Sequence, residues 1–136
     1  MNSISLGEIQ DVTGAEALAA GADVRISAVC TDTRRMEAGS LFISLRGENF
    51  DGNEFLSQAA AGGARAAMID RQPRNLLGNL PANFPLIRVA DSRATMGLLA
   101  RHVRQQMRGK VIAVAGSNGK TGVKHLIHSA LCADLR

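Results

Sequence analysis

The sequence predicts an α/β protein: a small mixed or parallel sheet with flanking helices, followed by the first strand, phosphate loop and helix of a second α/β domain. Three observations carry this reading. Short apolar runs alternate with segments whose apolar residues recur at helical spacing, as in successive βα units. Turns rich in glycine and proline separate the two kinds of segment. Near the end, Val111-Ile112-Ala113-Val114-Ala115 runs into Gly116-Ser117-Asn118-Gly119-Lys120-Thr121 and then an amphipathic stretch.

Taken in order, Ser5-Leu6-Gly7-Glu8 has capping-box spacing, so a short helix carrying Ile9 and Val12 is expected before Gly14. Val24, Ile26, Ala28 and Cys30 alternate with Arg25, Ser27 and Val29, which predicts one strand. Glu37-Ala38-Gly39-Ser40 turns the chain into a nearly continuous apolar strand over Leu41–Leu45. After a loop bracketed by Gly47 and Asp51-Gly52, the residues Phe55, Leu56, Ala59 and Ala60 predict a helix that stops at Gly62-Gly63. Ala66–Ile69 reads as a buried strand, Asp70–Pro85 as loop, and Leu86–Val89 as a further strand. Asp91 or Ser92 caps the next helix, whose Met96, Leu99, Ala100, Val103 and Met107 form an apolar stripe ending at Gly109. A last stripe comprises Val123, Leu126, Ile127, Ala130 and Leu131. Without a sheet to cover, this last helix must pack back, pair with another chain or fray.

A length of 136 residues allows one domain, or one small domain plus part of another. The boundary is expected near Arg108-Gly109-Lys110. Residues 1–108 can make a compact sheet-and-helix domain that includes the connecting helix. Residues 109–136 supply only the truncated start of a second domain. With 46% hydrophobic and 21% charged residues, the chain reads as globular rather than disordered. Cys30 and Cys132 match no metal spacing and read as reduced, buried thiols. Met1-Asn2-Ser3-Ile4-Ser5 lacks the pattern of a signal peptide, and no apolar run approaches a membrane span, so the expectation is a cytoplasmic protein. The net charge of +4 suits an anionic ligand. Trp and Tyr are absent and the four Phe are scattered, which argues against a nucleic-acid stacking face. Arg101, Arg104, Arg108 and Lys110 read as a solvated helix face.

Two clusters carry chemistry. In Gly116–Thr121, N–H groups of the turn and of the following helix N-terminus would face phosphates. Lys120 would neutralise them and the Thr121 hydroxyl would ligate Mg²⁺. Val114 occupies the first glycine position of the general motif, but the apolar run before it and the helix after it favour nucleotide binding over a plain turn. The second cluster is Thr31-Asp32-Thr33-Arg34 with the turn Gly47-Glu48-Asn49-Phe50-Asp51-Gly52-Asn53. Arg34 could pair with a phosphate and Asn49 or Asn53 could read a base edge. By chemistry alone, a local Asp32–Arg34 ion pair and an Asp51-Gly52 turn are the stronger reading. His125 and His128 lie three apart on a helix, but no third metal ligand accompanies them and a solvent-facing pair is favoured.

Thr31-Asp32-Thr33-Arg34, then Gly39-Ser40-Leu41-Phe42-Ile43-Ser44-Leu45-Arg46-Gly47, then Phe50-Asp51-Gly52-Asn53-Glu54-Phe55, then Ala59-x-x-Gly62-Gly63-Ala64-Arg65-Ala66 resembles the N-terminal domain of the Mur ligases. These are the ATP-dependent amino-acid-adding enzymes of peptidoglycan synthesis. Gly116–Thr121 is similar to the ATP loop that opens their central domain. The resemblance runs from about Val24 to Leu131, and its motifs agree in order and spacing. Asn53 stands where the family usually has His, Ala115 where it has Thr, and Gly122 where it has Thr or Ser.

The resemblance implies that Thr33 and Arg34, with Gly47, Glu48, Asn49, Asp51, Gly52 and Asn53, hold the uridine diphosphate end of a substrate. It implies that Gly116, Ser117, Asn118, Gly119, Lys120 and Thr121 hold ATP, with Lys120 catalytic as a charge stabiliser and Thr121 at Mg²⁺. Val89-Ala90-Asp91-Ser92, leading into Met96–Ala100 and Arg104, points within the family to the type that joins D-alanyl-D-alanine to UDP-N-acetylmuramoyl-tripeptide. Val123-Lys124 points the same way. The type that adds the third peptide residue is the nearest alternative. A non-catalytic module that captures UDP-muramoyl peptides, or a scaffold without a ligand, are the others. The 136 residues alone are expected to lack ligase turnover, and the last helix could support self-association.

Overall fold

The computed structural model describes residues 3–48, 50–71 and 80–134. The expectations for Met1, Asn2, Asn49 and residues 72–79 lie outside these. The chain divides into two compact units, Met1–Gln106 and Met107–Arg136.

In the first unit, β1 (Ile4–Ser5) leads into α1 (Leu6–Thr13), followed by β2 (Glu16–Ala17), β3 (Arg25–Ile26), β4 (Ala28–Cys30) and β5 (Ser40–Ile43). Next come α2 (Leu56–Ala61), β6 (Ala66–Ile69), β7 (Leu86–Arg88) and α3 (Ser92–Gln106). The main sheet has the order β2-β7-β6-β5-β4; β4 to β7 are mutually parallel and β2 is antiparallel at the edge. The sheet is therefore mixed. A separate antiparallel pair joins β1 and β3.

Every residue of β5 and β6 is buried, as expected for central parallel strands covered on both faces. Leu41, Ile43 and Met68 point to one face, where Leu6 and Ile9 of α1 and Leu99 of α3 join them. Phe42, Ala67 and Ile69 point to the other, against Leu56 and Ala59 of α2. The period of two along each strand thus produces three layers. Each fully buried Leu, Ile or Phe contributes about 1.5–3 kcal/mol relative to exposure.

Helix α1 begins as its sequence indicates. Ser5 Oγ accepts from the Glu8 N–H at 3.1 Å, and Gly14, at φ 68°, closes the helix with its N–H on the Gln10 carbonyl. The Glu8 side chain does not complete the capping box. Its Oε1 lies 2.9 Å from His102 Nε2 and accepts from Gln106 Nε2 at 3.1 Å, tying α1 to α3.

Four expectations are corrected in detail. The single strand over Val24–Cys30 is two strands with different partners. At Ser27 the chain leaves β1, and the Ser27 N–H donates to the Gly39 carbonyl at 3.0 Å, so the ladder continues on β5. Burial alternates without a break across that change, and alternation is all the sequence displays. On α3, Ala100 and Met107 are exposed, while Thr95 is buried and His102 half-buried. Packing on α1 selects the row Ser92, Thr95, Leu99 and His102, because His102 has a carboxylate to meet. Cys132 is exposed and Cys30 only half-buried.

The fourth correction concerns the second unit. Residues 111–115 form no strand among the described residues, and Val111 and Ile112 are more than half exposed. A strand requires a neighbour to receive its N–H and C=O groups, and among the described residues this run has no ladder partner. Helix α4 (Lys120–Asp134) is formed rather than frayed, with Val123, Leu126 and Leu131 exposed.

The Glu8 contacts have a pH signature. Hydrogen bonding from His102, then from Gln106, lowers the Glu8 carboxyl below its usual 4.5. A depressed carboxylate contributes stability above its unfolded value and loses it as pH falls through the folded one. The thermal midpoint of Glu8→Gln should therefore lie below that of the parent at neutral pH. The gap should close as pH falls below the ordinary carboxylate range. A gap independent of pH would contradict the assignment.

Candidate functional site

The parallel strands deliver their carboxyl ends to one edge of the sheet, where ligands of open α/β sheets commonly dock. Directly after β4, Asp32 caps a 3₁₀ turn over Thr33–Arg35 by accepting from the Arg34 N–H at 3.1 Å. The same carboxylate takes Arg34 Nε at 2.9 Å and Nη2 at 2.7 Å. These Arg34 hydrogen bonds pull the Asp32 carboxyl down to about 2, and the pair raises Arg34. The local ion pair is therefore formed. The Arg34 side chain nevertheless remains 84% exposed, and its Nη1 takes no part in the Asp32 contacts.

Thr31–Arg34 form one side of an open cleft of about 440 Å³. Phe50, Gly52, Phe55 and Gln58 also line it, with Phe42 of β5. Phe50 and Phe55 keep substantial exposure. Two hydroxyls, a guanidinium and a carboxamide therefore share a cleft with exposed aromatic carbon. That combination suits a polar ligand carrying a flat ring.

The second cluster divides its residues between this cleft and the support beneath it. Gly47 N–H donates to the Phe50 carbonyl and Gly52 N–H to the Leu45 carbonyl, both at 3.0 Å. Asp51 accepts from the Asn53 N–H at 3.1 Å and from Arg71 Nη2 at 2.7 Å. Burial raises the Asp51 carboxyl, but the Asn53 and Arg71 contacts outweigh it and leave it lowered. Asn53 is buried, and its Oδ1 accepts from the Ser44 hydroxyl at 2.8 Å. Thr33, Arg34 and Gly52 line the cleft; Gly47, Glu48, Asp51 and Asn53 do not. Phe55 and Gln58 lie outside the cluster that the sequence indicates, because an apolar helical pattern reads Phe55 as core.

In the second unit, Gly116 and Gly119 have φ of 146° and 75°, so the turn uses backbone conformations that side chains disfavour. Helix α4 begins at Lys120, whose Nζ donates to the Gly116 and Ser117 carbonyls at 2.5 and 3.1 Å. Ser117, Asn118 and Thr121 are exposed. A glycine turn with a lysine at a helix N-terminus fits a phosphate chain. For Mg²⁺ the fit is partial: Thr121 offers one hydroxyl, and no cluster of three His, Cys, Asp or Glu occurs among the described residues. His128 faces Cys132 Sγ at 3.7 Å.

A mixed α/β sheet with a polar and aromatic cleft at its carboxyl edge, and a separate unit with a glycine-lysine turn opening a helix, define the class as an α/β protein. The family model described as Mur ligase family, catalytic domain, matches residues 25–104. The chain belongs to the Mur ligase family. It is 40% identical over 131 residues to the UDP-N-acetylmuramoyl-tripeptide–D-alanyl-D-alanine ligase of Escherichia coli K12, covering 96% of this chain and 27% of that protein. The structure of the D-alanyl-D-alanyl ligase of Acinetobacter baumannii superposes with a TM-score of 0.80 at 30% identity, covering 98% of this chain and 29% of that one. A MurF ligase from Thermotoga maritima in complex with ADP gives 0.54 at 29% identity, over 69% and 20%. The chain thus spans about a quarter of the length of the curated relatives it matches.

Two outcomes test this geometry. A Cβ at Gly52 would lie 2.6 Å from the Leu45 backbone nitrogen and 2.7 Å from its oxygen. Gly52→Ala should destabilise the fold by about 1–3 kcal/mol in chemical denaturation, as overpacking does; an unchanged midpoint would refute the close approach. The Asp32 carboxyl carbon, followed by NMR, should titrate at about 2 and return toward the ordinary aspartate value in Arg34→Ala.

Proposed function

We propose that this chain is the N-terminal part of an ATP-dependent ligase that joins D-alanyl-D-alanine to UDP-N-acetylmuramoyl-tripeptide in the cytoplasm. The observation that carries the reading is the match of nearly the whole chain, in sequence and in fold, to ligases of that name. Residues 1–108 serve as the domain for the UDP-linked substrate, and 109–136 begin the ATP domain. No helix among the described residues is long and apolar enough to cross a membrane.

The cleft chemistry supports a uridine diphosphate end seated there. Phe50 and Phe55 offer apolar faces for the base, and the Gln58 carboxamide offers a donor and an acceptor for its edge. Arg34, held by Asp32, presents its outward N–H groups to a phosphate. Gly47, Glu48, Asp51 and Asn53 then act as the turn that positions Gly52 and Phe50 rather than as direct contacts.

ATP, when bound, supplies the phosphoryl group that activates the substrate carboxylate for attack by an amine. In this chain, Gly116–Thr121 provide the turn for its phosphates, and Lys120 would exchange its own loop carbonyls for them as a charge stabiliser. Thr121 would offer Mg²⁺ a single hydroxyl. The open α4 stripe fits a helix that the remainder of an ATP domain, or a second copy of this chain, would cover.

Calorimetry on the 136-residue chain tests the reading. UDP and UDP-N-acetylmuramoyl-tripeptide should bind, ATP alone should not, and no ligase turnover should be seen. Arg34→Ala should weaken UDP by about tenfold, the value of one charge-assisted hydrogen bond. Ligase turnover by this chain alone, or no uridine nucleotide binding, would overturn it.

A further inference from the structure

A second cleft opens on the same sheet edge, lined by residues that follow three parallel strands. Leu45 and Arg46 follow β5, Asp70 follows β6, and Ala90–Arg93 run from β7 into α3. Its volume is about 230 Å³. Ser92, the first residue of α3, is 1% exposed, and its hydroxyl is the one buried side-chain oxygen or nitrogen without a hydrogen-bond partner among the described residues. An unsatisfied buried hydroxyl is costly, and such groups are uncommon in folded proteins.

Two guanidiniums, two carboxylates and a helix N-terminus surround this hydroxyl. Helix α3 is fifteen residues long, and its first-turn N–H groups have no partners within the helix. Asp91 Oδ1 accepts from the Ala94 N–H at 2.9 Å, and the Asp91 carbonyl accepts from Thr95. Among the described residues, the N–H groups of Ser92 and Arg93 have no hydrogen-bond partner. Arg46 and Arg93 line the cleft and form no salt bridge among the described residues. Of the two carboxylates present, Asp91 is engaged at the helix and Asp70 offsets one guanidinium.

We propose that this cleft binds a compact oxyanion, a phosphate group, through the Ser92 hydroxyl, the N-terminus of α3, and Arg46 and Arg93. The phosphate group satisfies the orphaned hydroxyl and the two free N–H groups together. With the two arginines and two aspartates cancelling in formal charge, directional donors set the affinity, so binding is weak and falls with added salt. The site is independent of the uridine reading, since none of its residues lines the other cleft.

Amide NMR of the 136-residue chain, titrated with inorganic phosphate, tests this. The Ser92, Arg93 and Ala94 amides should shift and saturate. Ser92→Ala removes a hydroxyl without a partner, so its thermal midpoint should stay level or rise while phosphate affinity drops about tenfold. Arg93→Gln should also weaken phosphate and leave the midpoint unchanged. A second titration with UDP identifies the source. Loss of the phosphate shifts on adding UDP assigns the site to a nucleotide phosphate, and their persistence assigns it to a free anion. Failure of the uridine reading would register separately, at Thr31–Arg34. Absence of shifts at residues 91–94, or a lowered midpoint in Ser92→Ala, would overturn the proposal.

Discussion

The parallel ladder between β5 and β6, buried on both faces, is the constraint from which the rest of the first unit follows. Leu41 pairs with Ala66, Phe42 with Ala67 and Ile43 with Met68. Because side chains alternate, each strand must supply apolar groups to both layers, and a one-residue slip would exchange the two sets. Leu41, Ile43 and Met68 require α1 and α3 above them; Phe42, Ala67 and Ile69 require α2 below. Parallel pairing also makes both strands end on the same side. The loops after β4, β5, β6 and β7 are thereby gathered along one edge, where both clefts lie.

On that edge, polar residues hold one another before they can hold a ligand. Asp32 orients Arg34, Asp51 caps the turn containing Asn53, and Ser44 holds Asn53 from β5's side. Gly52 lies against the Leu45 backbone, where no side chain fits. These bonds fix a loop that would otherwise sample many conformations, and so reduce the ordering that binding would require. A run such as Phe50-Asp51-Gly52-Asn53 thus combines one cleft-lining aromatic, one glycine of close approach and two residues of internal support.

Legibility in the sequence followed the range of the interactions. Helix α1 was readable from Ser5 to Gly14 because both caps are local. The two central strands were readable because burial on both faces leaves an unbroken apolar run. The break at Ser27 was not, since a change of strand partner leaves the alternation intact. On α3, the inward face includes His102 only because Glu8 lies across from it, a pairing 94 residues apart that spacing does not encode. In the cleft, Thr33 and Arg34 were legible as chemistry. Phe55 was not, because exposure of an aromatic ring depends on which helical face the sheet covers.

The second unit separates local from non-local determinants most sharply. Helix α4 forms because its hydrogen bonds close within the segment, whereas the apolar run over 111–115 would become a strand only beside a neighbour. The glycine turn belongs with the helix: Gly116 and Gly119 set its path, and Lys120 satisfies its carbonyls from the first turn. The loop's shape therefore exists without a sheet. Its lysine, however, is committed to the loop's own oxygens. Any phosphate bound there would have to displace that ammonium from two carbonyls, an exchange favourable only if other donors held the phosphate at the same time. The turn N–H groups supply some of these. A strand over 111–115 would bring further backbone groups to the loop, and it depends on a neighbour that this short run cannot provide for itself.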